Sequence, residues 1–349
     1  MILLGDTHLG IKKFNKEILT NQLDYLYEVI DFAREESREI FQLGDLFDNR
    51  IFMDIDCLNK ILRFFKENLK EVKFHTLLGN HDIYFRESLE SNLSKILMDL
   101  YPENFIVYSK QQLVKFKEGN ALIVPWLTKH DKIDLNLLAK ADFVLGHFEL
   151  NGFDVIKGIK HQSSNIDNSI FKKPVFSGHF HQRDLSHKFI KYLGTPYQLT
   201  WSDFDEVKGF YILKESLELE FFENYTSPRF LEIHYNSNLK ECLKIYGLFD
   251  SYKGFENIPD FLQYSKSLTS CVLKFINFSE DNSYEDILFL LKDSGLNYTF
   301  INKQKLNELN RVETKNLNTK EIILEYFKEN KEYINDVLEL MREVETENF

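Results

Sequence analysis

Five short turns carry the residues of this sequence whose types could perform chemistry. In each of them an apolar run ends at a glycine, and Asp, Asn or His follows at once: Gly5-Asp6-Thr7-His8, Gly44-Asp45, Gly79-Asn80-His81-Asp82, Gly146-His147 and Gly178-His179-Phe180-His181. An apolar run that stops at a glycine is typical of a buried strand ending in a turn. Ligands of open α/β sheets bind at that end of the strands, so a shared site is expected.

The residue types in these turns indicate a site for two metal ions. They offer carboxylate, amide and imidazole groups and no thiolate, in the set Asp6, His8, Asp45, Asn80, His147, His179 and His181. Such a set suits Mn, Fe, Zn or Ni better than Ca or Mg. Seven ligands exceed the need of one ion and fit two ions that share a carboxylate. Two ions about 3.5–4 Å apart clamp the attacking and leaving oxygens of a phosphoryl centre, which predicts phosphate-ester hydrolysis.

Predicted strands and helices alternate along the first 213 residues and must position these turns. Hydrophobic periodicity predicts helices over about Glu17–Glu35, Asp54–Leu69 and Ser88–Leu100. Strands are predicted at Ile2–Leu4, Ile40–Leu43, Val72–Leu78, Phe105–Tyr108, Leu113–Phe116, Ala121–Val124, Phe143–Leu145, Val175–Ser177, Phe189–Leu193 and Phe210–Leu213. Strand-rich stretches beside βαβ units indicate an α/β fold in which two mixed β-sheets pack together and helices flank them. Facing sheets would let all five turns meet.

The pattern restarts after Ser227-Pro228, which is a plausible domain boundary. A strand at Cys271–Phe278, a helix at Tyr284–Lys292 and a strand at Tyr298–Ile301 predict a small α/β domain. A polar stretch and an amphipathic tail follow. We therefore expect a catalytic domain over 1–228, a small α/β capping domain over 229–302, and a linker with a helical tail over 303–349.

Charge and cysteine usage bound the class of protein. The 349 residues carry a formal charge of −12, which disfavours unaided DNA binding unless metals, a local patch or a partner supplies positive charge. Three cysteines without paired spacing exclude a disulfide framework and a cysteine-based zinc site. Neither a signal peptide nor an apolar run of about 20 residues is evident, so a cytoplasmic protein without a membrane span is expected.

The five ordered blocks resemble those of the calcineurin-like metallophosphoesterases over roughly residues 1–210. The stretches GDTHLG, GDLFDNR and GHFELNG are more specific. They are similar to the nucleases of the SbcD and meiotic-recombination-eleven family, and most similar to the recombination endonuclease subunits of T-even phages. The resemblance implies the calcineurin-like core with a small capping domain that binds DNA, a homodimer, and localisation in the cytoplasm, which is the host's if a phage encodes the chain.

The resemblance also assigns the ligands. It implies that Asp6, His8, Asp45 and His181 hold one divalent ion, Mn²⁺ by expectation. Asp45, Asn80, His147 and His179 would hold a second Mn²⁺, with Asp45 bridging. His81 would protonate the leaving 3′ oxygen, which suits an imidazole. Asp82 would orient the His81 ring without contacting the metal ions itself.

One position departs from the family pattern. Some members have a histidine that contacts the substrate phosphate where this chain has Asp48. Since an aspartate cannot act there as a cation, Arg50 is the expected replacement. The last block is flanked by the basic residues Lys172, Lys173 and Arg183. Their cluster is either a surface that binds a DNA backbone or an ordinary solvated face.

The function implied is a Mn-dependent DNA nuclease, an exonuclease on duplex ends and an endonuclease on single strands, in recombination and double-strand-break repair. The partner implied is an SMC-like ABC ATPase of the SbcC type, docked on the carboxyl-terminal helices near Ile322 to Met341. The alternative on the same core is a phosphomonoesterase or cyclic-nucleotide phosphodiesterase. A scaffold with a vestigial metal site is a further reading, and the complete ligand set speaks against it.

Overall fold

The structure, a computed structural model, describes most of the chain up to residue 303. It describes residues 1–303 apart from 12–15, 86, 130, 157, 248–252, 258–259, 262, 264–270, 280–283 and 294–297. The predicted linker and tail over 303–349 therefore lie outside the described residues except for Lys303. The predicted docking of a partner on the tail is outside them as well.

Two mixed sheets form the first body of the chain. The first sheet has the order β15-β14-β1-β2-β3-β6, with β1 Ile2–Leu4, β2 Ile40–Gln42, β3 Phe74–Leu77, β6 Phe105–Tyr108, β14 Gly209–Leu213 and β15 Leu219–Glu223. The second has the order β13-β12-β9-β8-β7, with β7 Gln112–Phe116, β8 Gly119–Val124, β9 Phe143–His147, β12 Val175–Gly178 and β13 Ile190–Tyr192. Each sheet contains parallel and antiparallel pairs, as predicted.

The two sheets pack face to face through one hydrophobic cluster. Leu3 and Phe41 of the first sheet and Ile123, Leu145 and Phe176 of the second are all buried in it. The outer face of the first sheet is covered by helices α1, Lys16–Glu35, and α2, Ile55–Asn68. Apolar residues point alternately to the two faces along these strands, so the first sheet packs against the second sheet on one face and against helices on the other. The predicted two-sheet architecture is confirmed.

Helix α2 begins where the sequence predicts, because Asp54 caps it. The Asp54 carboxylate accepts the backbone N–H of Cys57 at 3.1 Å, which satisfies one of the free donors of the first turn. Ile61 and Phe65 of this helix are fully buried against the first sheet.

The predicted helix over Ser88–Leu100 is wrong in its first half. Residues Ser88–Asn92 form strand β5, which pairs antiparallel with β4, Ile83–Phe85. Helix α3 is confined to Ser94–Leu100, and the Asn92 side chain accepts the Lys95 N–H at 2.9 Å in its first turn. A polar side chain that satisfies a first-turn N–H favours a helix start at that point. The apolar spacing continued across this boundary and hid it.

A third sheet with its own core follows the Ser227-Pro228 dipeptide. Its order is β18-β17-β16-β19-β20, with β16 Phe230–Tyr235, β17 Leu243–Tyr246, β18 Lys253–Phe255, β19 Val272–Asn277 and β20 Tyr298–Asn302. Helix α5, Tyr284–Asp293, packs Ile287 and Leu291 into that core. Strands β16 to β18 were not predicted. The second body joins the first through the Phe230 N–H, which donates to the Gln198 amide oxygen at 2.7 Å.

Strand β1 holds a central place in the first sheet. It pairs parallel with β2 on one side and antiparallel with β14 on the other, where Ile2 stands opposite Ile212. All three residues of β1 are fully buried. The turn that follows β1 therefore leaves the middle of the sheet and not its edge.

The smaller elements complete the description. They are helix α4, Leu135–Lys140, the hairpin of β10, Asp154–Ile156, and β11, Ile159–Lys160, and short 3-10 turns at Asn168–Ile170 and Trp201–Asp203. Among the described residues, no helix is long and apolar enough to cross a membrane.

Candidate metal centre

The five predicted turns meet at the carboxyl ends of strands from both sheets. Strands β9 and β12 are parallel neighbours in register, which places His147 opposite Gly178. The turns after β1 and β2 are joined by hydrogen bonds, since the His8 N–H donates to the Asp45 carbonyl at 3.0 Å. The His179 N–H donates to both carboxylate oxygens of Asp6, at 3.1 and 2.8 Å, and so links the two sheets.

The first group of candidate ligands consists of Asp6, His8 and His181. One ligand atom from each lies within 4.8 Å of the others. The Nε2 atoms of His8 and His181 are 3.0 Å apart. Two imidazole nitrogens aimed at one point beside a buried carboxylate are a donor set that a transition metal ion fits.

The second group consists of Asp45, His147 and His179, and Asn80 stands among them. The ligand atoms of the first three lie within 4.8 Å of one another. The Asn80 amide oxygen is 3.1 Å from His147 Nε2 and 3.0 Å from His179 Nδ1. The predicted second set is therefore gathered in one place.

Asp45 lies between the two groups. Its Oδ2 atom is 3.4 Å from His147 Nε2 in the second group and 3.8 Å from His8 Nε2 in the first. Its other oxygen accepts the backbone N–H of His81 at 2.8 Å. Oδ2 is thus the atom placed to face both groups at once.

Burial and mutual charge set the protonation of these side chains. Burial raises the pKa of Asp6 well above its usual value, although His147 opposes it. Burial would also raise the pKa of Asp45, but His147, His81 and His8 outweigh it and hold that pKa well below the usual range. Burial opposes the charged form of His147, yet Asp45 and Asp6 raise its pKa to about 9. Burial, with His8 adding to it, lowers the pKa of His181 to about 3. Carboxylates and neutral imidazoles are the forms that bind metal, and the lowered pKa values of Asp45 and His181 favour these forms. The raised pKa values of Asp6 and His147 favour a bound proton instead, which a metal ion would have to displace.

An outer hydrogen bond fixes which nitrogen His147 turns inward, and carboxylates lie near the outer nitrogens of His179 and His8. His147 Nδ1 donates to the Leu43 carbonyl at 2.7 Å, which leaves Nε2 for the site. Glu149 lies 3.8 Å from His179 Nε2, on the side away from Asn80. Asp48 Oδ1 lies 3.4 Å from His8 Nδ1. A hydrogen-bonded partner such as the Leu43 carbonyl sets the tautomer and orientation of a metal-binding imidazole.

The His81 ring is held by Asp48 and not by Asp82. His81 Nδ1 donates to the Asp48 carbonyl at 2.6 Å. Both oxygens of the buried Asp82 carboxylate accept backbone N–H groups, from Gly79 at 2.9 Å and Phe47 at 3.1 Å. The structure thus differs from the expectation for Asp82, which ties two turns together. Since His81 Nδ1 is used, Nε2 is the nitrogen left for proton transfer.

In the five turns the left-handed backbone conformation falls mostly on residues other than the block glycines. Of the five block glycines only Gly44 has a positive φ, at 93°, whereas His8, Asp45 and His179 have φ of 43°, 52° and 89°. Such values cost a residue with a side chain about 1–3 kcal/mol and cluster at functional sites. Gly79 serves close approach instead, because a Cβ there would lie 2.1 Å from Asp45 Oδ1.

Two buried polar side chains clamp the backbone at the site. Gln22 of α1 donates to the carbonyls of Thr7 and His8, at 3.0 and 2.9 Å, and so holds the turn that carries His8. Lys208 donates to the His181 carbonyl at 2.8 Å and to Asp203 at 2.9 Å. Neither residue was predicted, since a lone Gln on a helix or Lys before a strand carries no distinctive spacing.

A cleft of about 900 Å³ opens over the second group of ligands. Asp48, Asn80, His81, His147, Glu149 and His179 form part of its wall. Arg50, the expected phosphate contact, lies in the wall too, and its role stays a prediction. Trp126 and Lys129 from the loop after β8 also line the cleft and were not predicted. That loop has no glycine followed by a polar residue, so the pattern used for the other turns could not find it.

The predicted basic cluster is not brought to the cleft. Lys173 donates to the carbonyl of Ala139 at 2.9 Å and to that of Ala141, at the end of α4. The Arg183 guanidinium lies over the Phe221 ring, 4.7 Å from its centroid. Lys172 is exposed and is not part of the cleft wall. A role for these three residues in DNA binding stays a prediction.

Comparison with known proteins adds two findings. The family described as calcineurin-like phosphoesterase matches residues 1–192 of this chain. Exonuclease subunit 1 of Enterobacteria phage T4 is 31% identical over 242 residues, which are 66% of this chain and 69% of that relative. The matched family residues include every one of the five turns.

Proposed function

Because the chain belongs to the calcineurin-like phosphoesterase family, we propose that it is a metal-dependent nuclease that hydrolyses the phosphodiester bonds of DNA. The observation that carries the proposal is the meeting of two candidate ligand groups on either side of Asp45, with His81 beside them. The likeness to a phage exonuclease subunit supports DNA as the substrate.

The proposed ligands are those that the sequence predicts. Asp6, His8, Asp45 and His181 would hold one divalent ion, and Asp45, Asn80, His147 and His179 the other. Mn²⁺ is the proposed metal because the family resemblance implies it. Oxygen and imidazole nitrogen donors without sulfur suit it, as they also suit Fe, Zn and Ni. When bound, the two ions supply positive charge that polarises the phosphate and favours deprotonation of the attacking water.

The chain's own residues would orient the substrate and move the proton. The scissile phosphate would lie over Asp45, in the cleft that Asn80 and His147 line. His81 would give a proton from Nε2 to the leaving 3′ oxygen, because its Nδ1 is already committed to the Asp48 carbonyl. Arg50 would contact a neighbouring phosphate from the cleft wall.

The two activities proposed are exonucleolytic cleavage of duplex ends and endonucleolytic cleavage of single strands. A phosphomonoesterase or cyclic-nucleotide phosphodiesterase is the alternative on the same fold. We expect the protein with Mn²⁺ to degrade labelled linear duplex and to nick circular single-stranded DNA. It should leave p-nitrophenyl phosphate and cyclic nucleotides intact under the same conditions.

The assay separates these functions when it is run with Mn²⁺ and with EDTA on one preparation. His147→Ala is the matched control, because a contaminating nuclease would cleave equally in both samples. Hydrolysis of the monoester or the cyclic nucleotide without loss of DNA would replace the proposed function by the alternative.

We further propose that the chain works with an SMC-like ABC ATPase of the SbcC type, as a homodimer in the cytoplasm, in recombination and break repair. The relative is itself called a subunit, which supports a partner. The net charge of −12 supports it too, because phosphate binding needs positive charge that a partner would supply.

Deletion of residues 319–349 tests the proposed docking. Residues 322, 323, 326 and 327, and then 334, 337, 338 and 341, are apolar at helical spacing, and each run is too short to be a stable helix alone in water. We expect the truncated chain to cleave short single strands at the full rate with Mn²⁺ and to lose co-purification with the ATPase. Full affinity for the ATPase after truncation would contradict this docking.

A further inference from the structure

Trp126 stands in the cleft beside the second group of candidate ligands. Its ring centroid is 5.2 Å from that of His179 and 6.0 Å from that of His147. The side chain is partly exposed and forms part of the cleft wall. The indole thus lies next to the ring of a candidate ligand, close to the place where a phosphate would bind.

The fold delivers this side chain to its place. Trp126 follows β8, whose parallel neighbour β9 carries His147 at its end. The backbone N–H of Trp126 donates to the Leu78 carbonyl at 2.7 Å, directly before the Gly79-Asn80 turn. The backbone that carries the indole is therefore tied to two strands whose ends bear candidate ligands.

The surroundings of the indole favour a flat ligand. Ile83 and Leu127 line the same cleft, and the cations in its wall are Arg50 and Lys129. Among the described residues, none accepts a hydrogen bond from the Trp126 indole. Aromatic faces stack on nucleic-acid bases of any sequence. This contact needs no positive charge, of which this acidic chain has little.

We propose that the base of the nucleotide next to the scissile phosphate stacks on Trp126. The proposal rests on the proposed nuclease function and deepens it, since a base on the indole must be unpaired. Duplex DNA would have to fray at its end before cleavage, whereas a single strand would bind directly. The same site would then serve both proposed activities.

A purely packing role for Trp126 makes a different prediction. If the indole only supported the His179 ring, its loss would weaken metal binding and slow every substrate equally. If it stacks a base, its loss would matter only where the substrate has a base to stack.

The test is a scan of abasic positions in a single-stranded oligonucleotide. For the wild-type protein, an abasic residue beside the cut should lower kcat/KM by roughly 5- to 150-fold, which is the range for one stacked base. An abasic residue far from the cut should change little. Trp126→Ala should show the same loss on the intact strand and no further loss on the abasic one. Trp126→Phe should keep most of the effect.

A binding measurement checks the contact without turnover. The chain has two tryptophans, so Trp201→Phe leaves Trp126 as the sole reporter. Its fluorescence in EDTA should be quenched by an oligonucleotide and much less by a strand that is wholly abasic. Metal titration of Trp126→Ala should give the wild-type affinity for both ions.

The outcomes separate the two claims. If the wild-type protein cuts DNA and no abasic position near the cut matters, the stacking proposal is wrong and the nuclease stands. If Trp126→Ala loses metal affinity in step with activity, the residue only supports His179. If the wild-type protein cuts no DNA at all, the proposed function itself fails.

Discussion

Replacing Asp45 with alanine is expected to remove both metal ions and to abolish DNA cleavage. The Oδ2 atom of Asp45 faces His147 at 3.4 Å and His8 at 3.8 Å, so both groups lose the carboxylate that they share. Metal ions supply several kcal/mol of transition-state stabilisation, which corresponds to a fall of roughly 10³-fold or more. Calorimetric titration with Mn²⁺ would count the ions that remain.

His8→Ala is the matched control for the bridge. Of the two proposed ligand groups His8 belongs to the first, where its Nε2 faces His181 Nε2 at 3.0 Å. Its loss should weaken one ion and leave the other near its original affinity. Circular dichroism of both variants establishes that they fold. If Asp45→Ala and His8→Ala each lose one and the same ion, Asp45 is no bridge.

His81→Ala is expected to slow DNA cleavage by about 10²–10⁴-fold, the usual worth of a general acid, while both ions still bind. The substitution removes the ring but keeps the backbone N–H that donates to Asp45 at 2.8 Å. The ligand arrangement should therefore survive. Rates of DNA cleavage, with the number of bound ions measured on the same sample, test the role.

The leaving group provides a sharper test of His81. A p-nitrophenolate needs no proton to leave, whereas the 3′ oxygen of a nucleotide does. His81→Ala should therefore slow cleavage of thymidine p-nitrophenyl phosphate at the aryl bond far less than cleavage of DNA. An equal loss on both substrates would mean that His81 binds the phosphate and does not protonate the leaving oxygen.

The meeting of the candidate ligands was predictable because it follows from strand ends. Each of the five blocks stands directly after an apolar run, and parallel strands bring their carboxyl ends to one edge. His147 and His179 meet in this way, since β9 and β12 are parallel and in register. The positions of the strand ends in the sequence are therefore enough to predict that these residues meet, even though they do not predict how the side chains are oriented.

What the sequence could not predict depends on contacts across turns. Asp48 holds the His81 ring with its backbone carbonyl, and a carbonyl has no residue type to recognise. The strand Ser88–Asn92 forms because a hairpin captures it, although its spacing also fits a helix. Trp126 reaches the cleft because its strand, β8, pairs in parallel with β9, which ends at His147. In each case tertiary structure overrides a local pattern.

The central place of β1 has a consequence for how the protein is made. Residues Ile2–Leu4 leave the ribosome roughly 200 residues before β14, the antiparallel strand that lies against them, and long-range pairs of this kind form late and slowly. Until residue 213 has emerged, the strand that leads to Asp6 has one open edge. The last predicted ligands, His179 and His181, come about 30 residues before this strand, so we expect the first sheet and the candidate metal centre to be completed at nearly the same stage of synthesis. We therefore expect the domain to bind its metal ions only once this strand pair has formed.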